Sequence, residues 1–337
     1  MSRRLKSVAV LGGSRFIGLA IVEALLAKGC RVLTVNRGVT PVRCSSPVER
    51  VTADRRDPAG YARALAGIDV EAVVDVTAYR PEETRVVVAS FGGRIGRLVH
   101  ISSLSVYRWP LPCPVQEDAP LEDDPRHEYG YGKAACERLL FSQPTERLPW
   151  TALRLPAVFG PHDPHSREAY LLRQILKDKT IVVPPRPYLC QNLVAADAAR
   201  AVCALLESPH AVGRAYNAGD EPFTLEGYVG LIAGLVGRPA RMVRASTRVL
   251  VRDGAHPERI PYYFEGDVVL DTRRIRDEIG FSPLRPVEEA MAATVEEITR
   301  APGGIDSAGW GLPWEAPFPA GPLDLFRNSG SQAPDSP

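Results

Sequence analysis

The chain has 337 residues, of which 45% are hydrophobic and 24% charged, with a net charge of +1 at pH 7; that length suffices for one large or two modest domains with a sizeable core. Its basic residues are spread along the chain rather than gathered into runs, so the phosphate-backbone footprint of a nucleic-acid binder is missing. No apolar stretch has the length of a membrane span, and MSRRLKSVAV enters a strand with no secretory core, so a cytoplasmic protein that binds neither nucleic acid nor membrane is expected.

In chain order, VAVLG reads as a buried strand that runs through the glycine turn GGSRFIG into an apolar-faced helix from Phe16 to Lys28. RVLTVN and VERVTAD follow as strands, PAGYARALAG as a helix, EAVVDVTA as a strand, Pro81 to Phe91 as a helix, and RLVHISS as a strand. Further strands are expected at TALRLPAVFG and GRAYNAG, with helices at Glu168 to Lys177 and Ala195 to Glu207. Strands alternating with helices predict an α/β protein, a Rossmann-type doubly wound parallel sheet covered on both faces. Residues 1–160 are expected to form the dinucleotide-binding domain, its sheet completed by parts of 188–220. Residues 161–187 and 221–300 are expected to form a smaller, discontinuous C-terminal substrate lobe. The tail, 301–337, is rich in Pro and Gly and is expected to be largely disordered. Cys30, Cys44, Cys113, Cys136, Cys190 and Cys203 are scattered without a C-x-x-C pair, which reads as reduced thiols and no metal site.

The first turn keeps glycine in its outer slots, Gly12 and Gly18, with Gly13 adding freedom and Arg15 in the middle. Such a turn lets helix and strand approach closely and brings helix N-terminal amides to a pyrophosphate. At the end of the second strand, where a carboxylate would grip the ribose 2′-hydroxyl of NAD, the chain has Asn36 and Arg37. Guanidinium groups grip phosphate through charge-assisted bonds and a carboxylate would repel it. Arg15 and Arg37 therefore favour NADP(H) as the cofactor, with NAD(H) the alternative.

After the serine-rich strand end HISSLSVY comes HEYGYGKAACERLL, in which Tyr129 and Tyr131 compete. Only Tyr129 has a lysine four residues on, Lys133, which shares its helical face. A phenol working as acid or base near pH 7 must lose about 3 pH units from its reference value near 10, roughly 4 kcal/mol of differential stabilisation. A neighbouring ammonium favours the phenolate. Ser103 is the hydroxyl expected to orient the substrate oxygen, giving Ser103, Tyr129 and Lys133 as the catalytic candidates.

These segments together resemble the extended short-chain dehydrogenase/reductases, the NAD-dependent epimerase/dehydratase family, from about Val8 to Arg300. GGSRFIG (Gly12, Gly13, Ser14, Arg15, Phe16, Ile17, Gly18) resembles the family's cofactor turn, in the branch that carries arginine in the middle slot. ADRRD resembles the segment in which an acidic residue, here Asp54, meets the adenine amine beside Arg55. VVDVTAY, with Val76, Thr77 and Ala78, falls where the fourth strand passes the cofactor. LRLPAVFGP, with Pro156, resembles the strand and loop beside the nicotinamide, and DTRRIRDEIGFSPLRPVEEAM the family's C-terminal helix pattern. A homodimer through the tyrosine-bearing helix and its neighbour is implied by resemblance alone.

The departures bear on substrate. Sugar-nucleotide members typically have asparagine where Ala157 stands and an arginine at about Cys190, and losing both contacts costs on the order of 2 to 4 kcal/mol, though Arg186 could replace the charge. Leu104 and Ser105 replace the acidic pair of family dehydratases, which disfavours dehydration. His162 and His165 lie in a proline loop without a further ligand and read better as substrate contacts than as a metal site; Tyr79, Trp109 and Tyr188 are weighed as pocket lining or plain packing. The expected function is hydride transfer on a carbonyl or secondary alcohol of a sugar or other small metabolite. The alternatives are a nucleotide-sugar 4-epimerase with tightly bound NAD, and a non-catalytic dinucleotide-binding scaffold or RNA-binding relative.

Overall fold

The computed structural model describes residues 5–163, 167–255, 260–284, 286–300 and 305. The chain divides into two compact units, the first Met1–Asp163, Gln191–Glu221 and Val269–Arg285, the second Pro164–Cys190, Pro222–Val268 and Pro286–Pro337. Element labels below run along the whole chain.

The first unit begins with β1 (Ser7–Leu11), α1 (Phe16–Ala27), β2 (Arg31–Asn36), β3 (Glu49–Thr52), α2 (Pro58–Ala66), β4 (Ala72–Asp75) and α3 (Pro81–Phe91). It continues with β5 (Arg97–Ser103), α4 (Glu128–Phe141), β6 (Trp150–Leu155) and β7 (Ala157–Phe159), then β10 (Asn192–Val194), α6 (Ala195–Glu207), β11 (Arg214–Asn217) and α9 (Arg273–Ile279). The second holds α5 (Arg167–Leu176), β8 (Thr180–Val183), β9 (Leu189–Cys190), β12 (Phe223–Thr224), α7 (Leu225–Leu235), β13 (Arg241–Arg244), α8 (Thr247–Arg252) and α10 (Val287–Arg300).

Seven strands form one sheet in the order β11-β6-β5-β4-β1-β2-β3, all parallel. This is the Rossmann-type α/β fold that the alternation predicts. Period-2 geometry sorts β1 between two cores: Val8 and Val10 pack with Ile21 and Val22 of α1 and Val202 of α6, while Ala9 and Leu11 pack with Leu65 of α2 and Val87 of α3. Because both faces are buried, the strands read as continuous apolar runs. The chain order reverses between β1 and β4, the place where ligands settle outside the carboxyl ends of such sheets.

Residues Val269–Arg285, assigned to the second lobe on sequence, cluster instead with the sheet. The reason is apolar: Ile275 and Phe281 are buried in the core that holds α1 and α6. The expected tail at 301–337, apart from Ile305, lies outside the described residues, as does His165.

In the second unit β8 pairs with β13 in parallel and β9 with β12 antiparallel. Its buried carboxylate, Glu168, accepts hydrogen bonds from the hydroxyls of Tyr228 (2.9 Å) and Tyr262 (2.8 Å), and Phe223 stacks on the Tyr228 ring.

Candidate active site

Several of the residues singled out on sequence lie at or just after the carboxyl ends of the sheet's strands. Strand register places Leu11 beside Val35 and Asp75, Asn36 beside Thr52, and Ser103 beside Leu155. Gly12, Arg37, Asp54, Val76 and Pro156 each follow closely on one of these strand ends.

At the turn after β1, Gly12 has φ +103°, and a Cβ there would stand 2.4 Å from Thr77 Cγ2. A Cβ on Gly18 would lie 2.1 Å from the Gly12 carbonyl, so the helix leaves the strand at a distance no side chain allows. Gly13 lies beneath, facing Val10, Val22 and Thr34. Helix α1 begins with Phe16, itself at φ +48°, and its N-cap, Arg15, makes no side-chain capping bond, so the first amides are not covered by their own cap. Ser14 and Ile17 are half-buried, Phe16 is buried, and Arg15 is exposed. Thr77 and Val76 lie half-buried and Ala78 fully buried along the opposite wall, where the Val76 amide donates to the Leu11 carbonyl at 3.0 Å.

At the β2 end, Asn36 is half-buried and Arg37 exposed. Asp54 is engaged by its near neighbour: Arg56 Nε reaches both carboxylate oxygens at 3.2 and 3.0 Å and Nη2 reaches Oδ2 at 2.6 Å. These bonds hold the Asp54 carboxyl down at about 2, with Arg37 adding a smaller charge effect. Arg55, expected on sequence to bind the cofactor, has its guanidinium turned inward. It is paired with Asp75 at the end of β4 and lies 5.0 Å over the ring of Tyr61, so its charge is neutralised inside the protein. Asp75, itself buried, was not singled out on sequence.

Helix α4 carries the candidate tyrosine and lysine. Tyr129 and Lys133 lie one turn apart, with Tyr129 half exposed (50%) and Lys133 almost wholly buried (2%). Two glycines inside this helix, each costing about 1 kcal/mol against alanine, make its position possible. A Cβ on Gly130 would lie 2.3 Å from the Ser105 carbonyl, and one on Gly132 would lie 2.3 Å from the Tyr79 carbonyl. The helix therefore docks directly on the backbone that follows β5 and β4. Gly132→Ala should destabilise the fold by about 1–3 kcal/mol through this overlap, despite the better helix propensity of alanine; chemical denaturation measures it, and an unchanged or raised stability would contradict the close docking.

The Lys133 ammonium donates to the Ile101 carbonyl of β5 at 2.7 Å and lies 4.8 Å from the centre of the Tyr79 ring. Burial pushes it down to about 8, opposed by the Asp75 carboxylate and assisted by Arg55. Ser103, at the end of β5, accepts a hydrogen bond from the Ser105 amide at 3.2 Å as the chain enters a short 3-10 turn, Leu104–Val106. On the same strand His100 is buried, neither ring nitrogen has a hydrogen-bond partner among the described residues, and burial holds the imidazole well below its usual range. Pro156 is buried where β6 gives way to β7. Among the described residues no three or more His, Cys, Asp or Glu side chains are grouped to hold a metal ion, and no helix is long and apolar enough to cross a membrane.

The family described as NAD dependent epimerase/dehydratase matches residues 8–219, which span the glycine turn, α4 and β11. The chain belongs to that family. Its relatives include 2'-dehydrokanamycin reductase of Streptomyces kanamyceticus, 32% identical over 130 residues, 39% of this chain and 36% of the relative. A 2-alkyl-3-oxoalkanoate reductase of Shewanella oneidensis is 27% identical over 86% of each chain. The Arabidopsis thaliana chloroplast stem-loop binding protein of 41 kDa b is 24% identical over 53% of this chain and 49% of its own. The chain thus spans about a third of the first relative and about half of the third. Among solved structures, Thermus thermophilus UDP-glucose 4-epimerase in complex with NAD superposes with a TM-score of 0.70 at 24% identity, covering 88% of this chain and all of that one. The fold of this epimerase is thereby shared.

Proposed function

We propose that this chain is an NADP(H)-dependent oxidoreductase or epimerase that transfers hydride to or from a carbonyl or secondary alcohol of a sugar or other small metabolite, with Tyr129 as acid/base. The observation that carries the reading is the pairing on α4: Tyr129 half exposed, Lys133 buried one turn behind it, and the lysine bonded to β5 two residues before Ser103. The residues present fit a dinucleotide, because Gly12, Gly13 and Gly18 let α1 start directly against the carboxyl end of β1 and the first turn of α1 is not capped by its own N-cap side chain.

When bound, the coenzyme gives or takes the hydride. Tyr129 passes the matching proton to or from the substrate oxygen, which Ser103 orients through its hydroxyl. The Lys133 ammonium favours the phenolate form of Tyr129, as an opposite charge does, and its remaining donor protons would hold the ribose of a bound coenzyme. Three further features support NADP(H). Arg15 at the start of α1 and Arg37 just after β2 are exposed, where they would reach the adenosine end of a bound coenzyme, Asn36 offers no carboxylate, and both Asp54 oxygens are bonded to Arg56.

NADPH is expected to bind more tightly than NADH. Arg37→Ala should weaken NADPH by about tenfold to a hundredfold, the worth of one charge-assisted contact, and leave NADH nearly unchanged. Fluorescence titration of the cofactor-free protein with both coenzymes measures this, and equal wild-type affinities would remove the assignment. The similarity to a stem-loop binding protein favours a second reading, a non-catalytic dinucleotide-binding scaffold or RNA-binding relative. Screening carbonyl and alcohol metabolites for absorbance change at the reduced-nicotinamide band separates the two.

A further inference from the structure

The loop after β4 brings a second phenol ring against the pair on α4. Tyr79 lies with its ring centre 4.8 Å from Lys133 Nζ and 6.1 Å from the Tyr129 ring, the two rings tilted by 44°. Its backbone is clamped from both sides. The Tyr79 amide donates to Glu83 Oε2 at 2.7 Å, as does the Arg80 amide at 3.2 Å, while the Tyr79 carbonyl is overlain by Gly132 of α4. The buried Ala78 precedes it. The backbone that carries the ring is thus fixed by the start of α3 and by the helix that carries Lys133, while the residue itself stays about half exposed.

We propose that Tyr79 is a positioning residue that holds the Lys133 ammonium charged and in place through the face of its ring. This rests on the reading of Lys133 as partner of the Tyr129 acid/base. An ammonium so deeply buried has few partners that stabilise its charge. The groups facing it are the Ile101 carbonyl and His100 from β5, Asp75 from β4, Arg55 from the loop after β3, and Cys136 and Glu137 from α4. Asp75 is shared with Arg55, and Arg55 repels the lysine. His100 is held neutral by burial and offers no negative charge. A ring face supplies electron density without a competing titration near neutral pH, and this one lies 4.8 Å from the ammonium.

The full-length chain allows a direct test, because its lysines are only Lys6, Lys28, Lys133, Lys177 and Lys179. Lysine labelled with ¹³C at Cε gives a small set of NMR signals, and the one lost in Lys133→Met identifies residue 133. In the cofactor-free protein, Tyr79→Leu should move the Lys133 midpoint down by about half to one pH unit, the size of a partly exposed cation–π contact. Tyr79→Phe, which keeps the ring face, should leave the midpoint at the wild-type value. Replacing Tyr79 by pentafluorophenylalanine, which keeps the shape and reverses the ring's charge distribution, should move it down as leucine does and guards against a repacking effect of leucine. A Lys133 midpoint that is the same or higher in both the leucine and the fluorinated variants overturns the proposal. Neither substrate nor turnover enters this measurement, so it can fail while the acid/base assignment stands, and the reverse.

Discussion

Tyr129→Phe is expected to lower turnover by about 10²- to 10⁴-fold, the usual contribution of a positioned acid/base, while coenzyme affinity stays close to wild type. The substitution removes one oxygen from a half-exposed side chain and leaves the glycine turn, α1 and Lys133 untouched. Loss of folding therefore does not compete as an explanation, and thermal melting of the variant checks this. Lys133→Met should lose turnover and weaken the coenzyme together, because the same ammonium serves both the phenolate and the ribose in the proposed mechanism. Tyr131→Phe is the matching control. Tyr131 lies two residues on, so its side chain leaves the helix in a different direction from the Tyr129–Lys133 face. Turnover that survives in Tyr129→Phe and falls in Tyr131→Phe would reverse the assignment of the acid/base.

What the sequence made legible is what local patterning controls. The β-branched runs RVLTVN and RLVHISS and the helix opening at Pro81 form where expected, because strand and helix periods are written in consecutive residues. Strand EAVVDVTA stops early, at Asp75, since pairing with β1 ends there and Val76–Ala78 turn along the Gly12 wall. The Tyr129–Lys133 relation is likewise a one-turn spacing. Contacts between distant segments were not legible. Nothing near ADRRD signals that Arg55 turns inward to Asp75, twenty residues on, or that the ring of Tyr79 faces an amine carried by a helix much later in the chain. Gly130 and Gly132 were visible only as letters in YGYGK; their need follows from two carbonyls, at Ser105 and Tyr79, that meet the helix only in three dimensions. The placement of 269–285 was missed for a similar reason, since which sheet face buries Ile275 and Phe281 depends on tertiary packing.

Glu137→Gln should destabilise the fold by about 3–5 kcal/mol, the measured range for breaking a buried ion pair by removing one charge. Glu137 lies four residues beyond Lys133 and eight beyond Tyr129, on the same side of α4, and it anchors that face to the sheet. Arg154 of β6 reaches its carboxylate from Nε at 3.0 and 3.1 Å and from Nη2 at 2.6 Å, with both side chains essentially inaccessible to solvent. The same guanidinium donates from Nη1 to the Tyr107 hydroxyl (2.9 Å) and the Glu117 carbonyl (2.7 Å), and Tyr107 passes a hydrogen bond to Asn217 at 2.6 Å. Helix α4, β6, β11 and the segment after β5 are therefore tied through one charge. Paired with Glu137→Leu, Arg154→Met removes both charges and should recover most of the loss, because two apolar side chains leave no unpaired ion. The recovery stays incomplete by about 1 kcal/mol for each of Tyr107 and Glu117 left without its donor. Urea denaturation of the wild type, Glu137→Leu, Arg154→Met and the double variant gives the coupling directly. If Glu137→Gln costs under about 1 kcal/mol, the scale of an exposed pair, the network does not hold α4, and the position of Tyr129 is fixed by the glycine contacts and the Lys133–Ile101 bond.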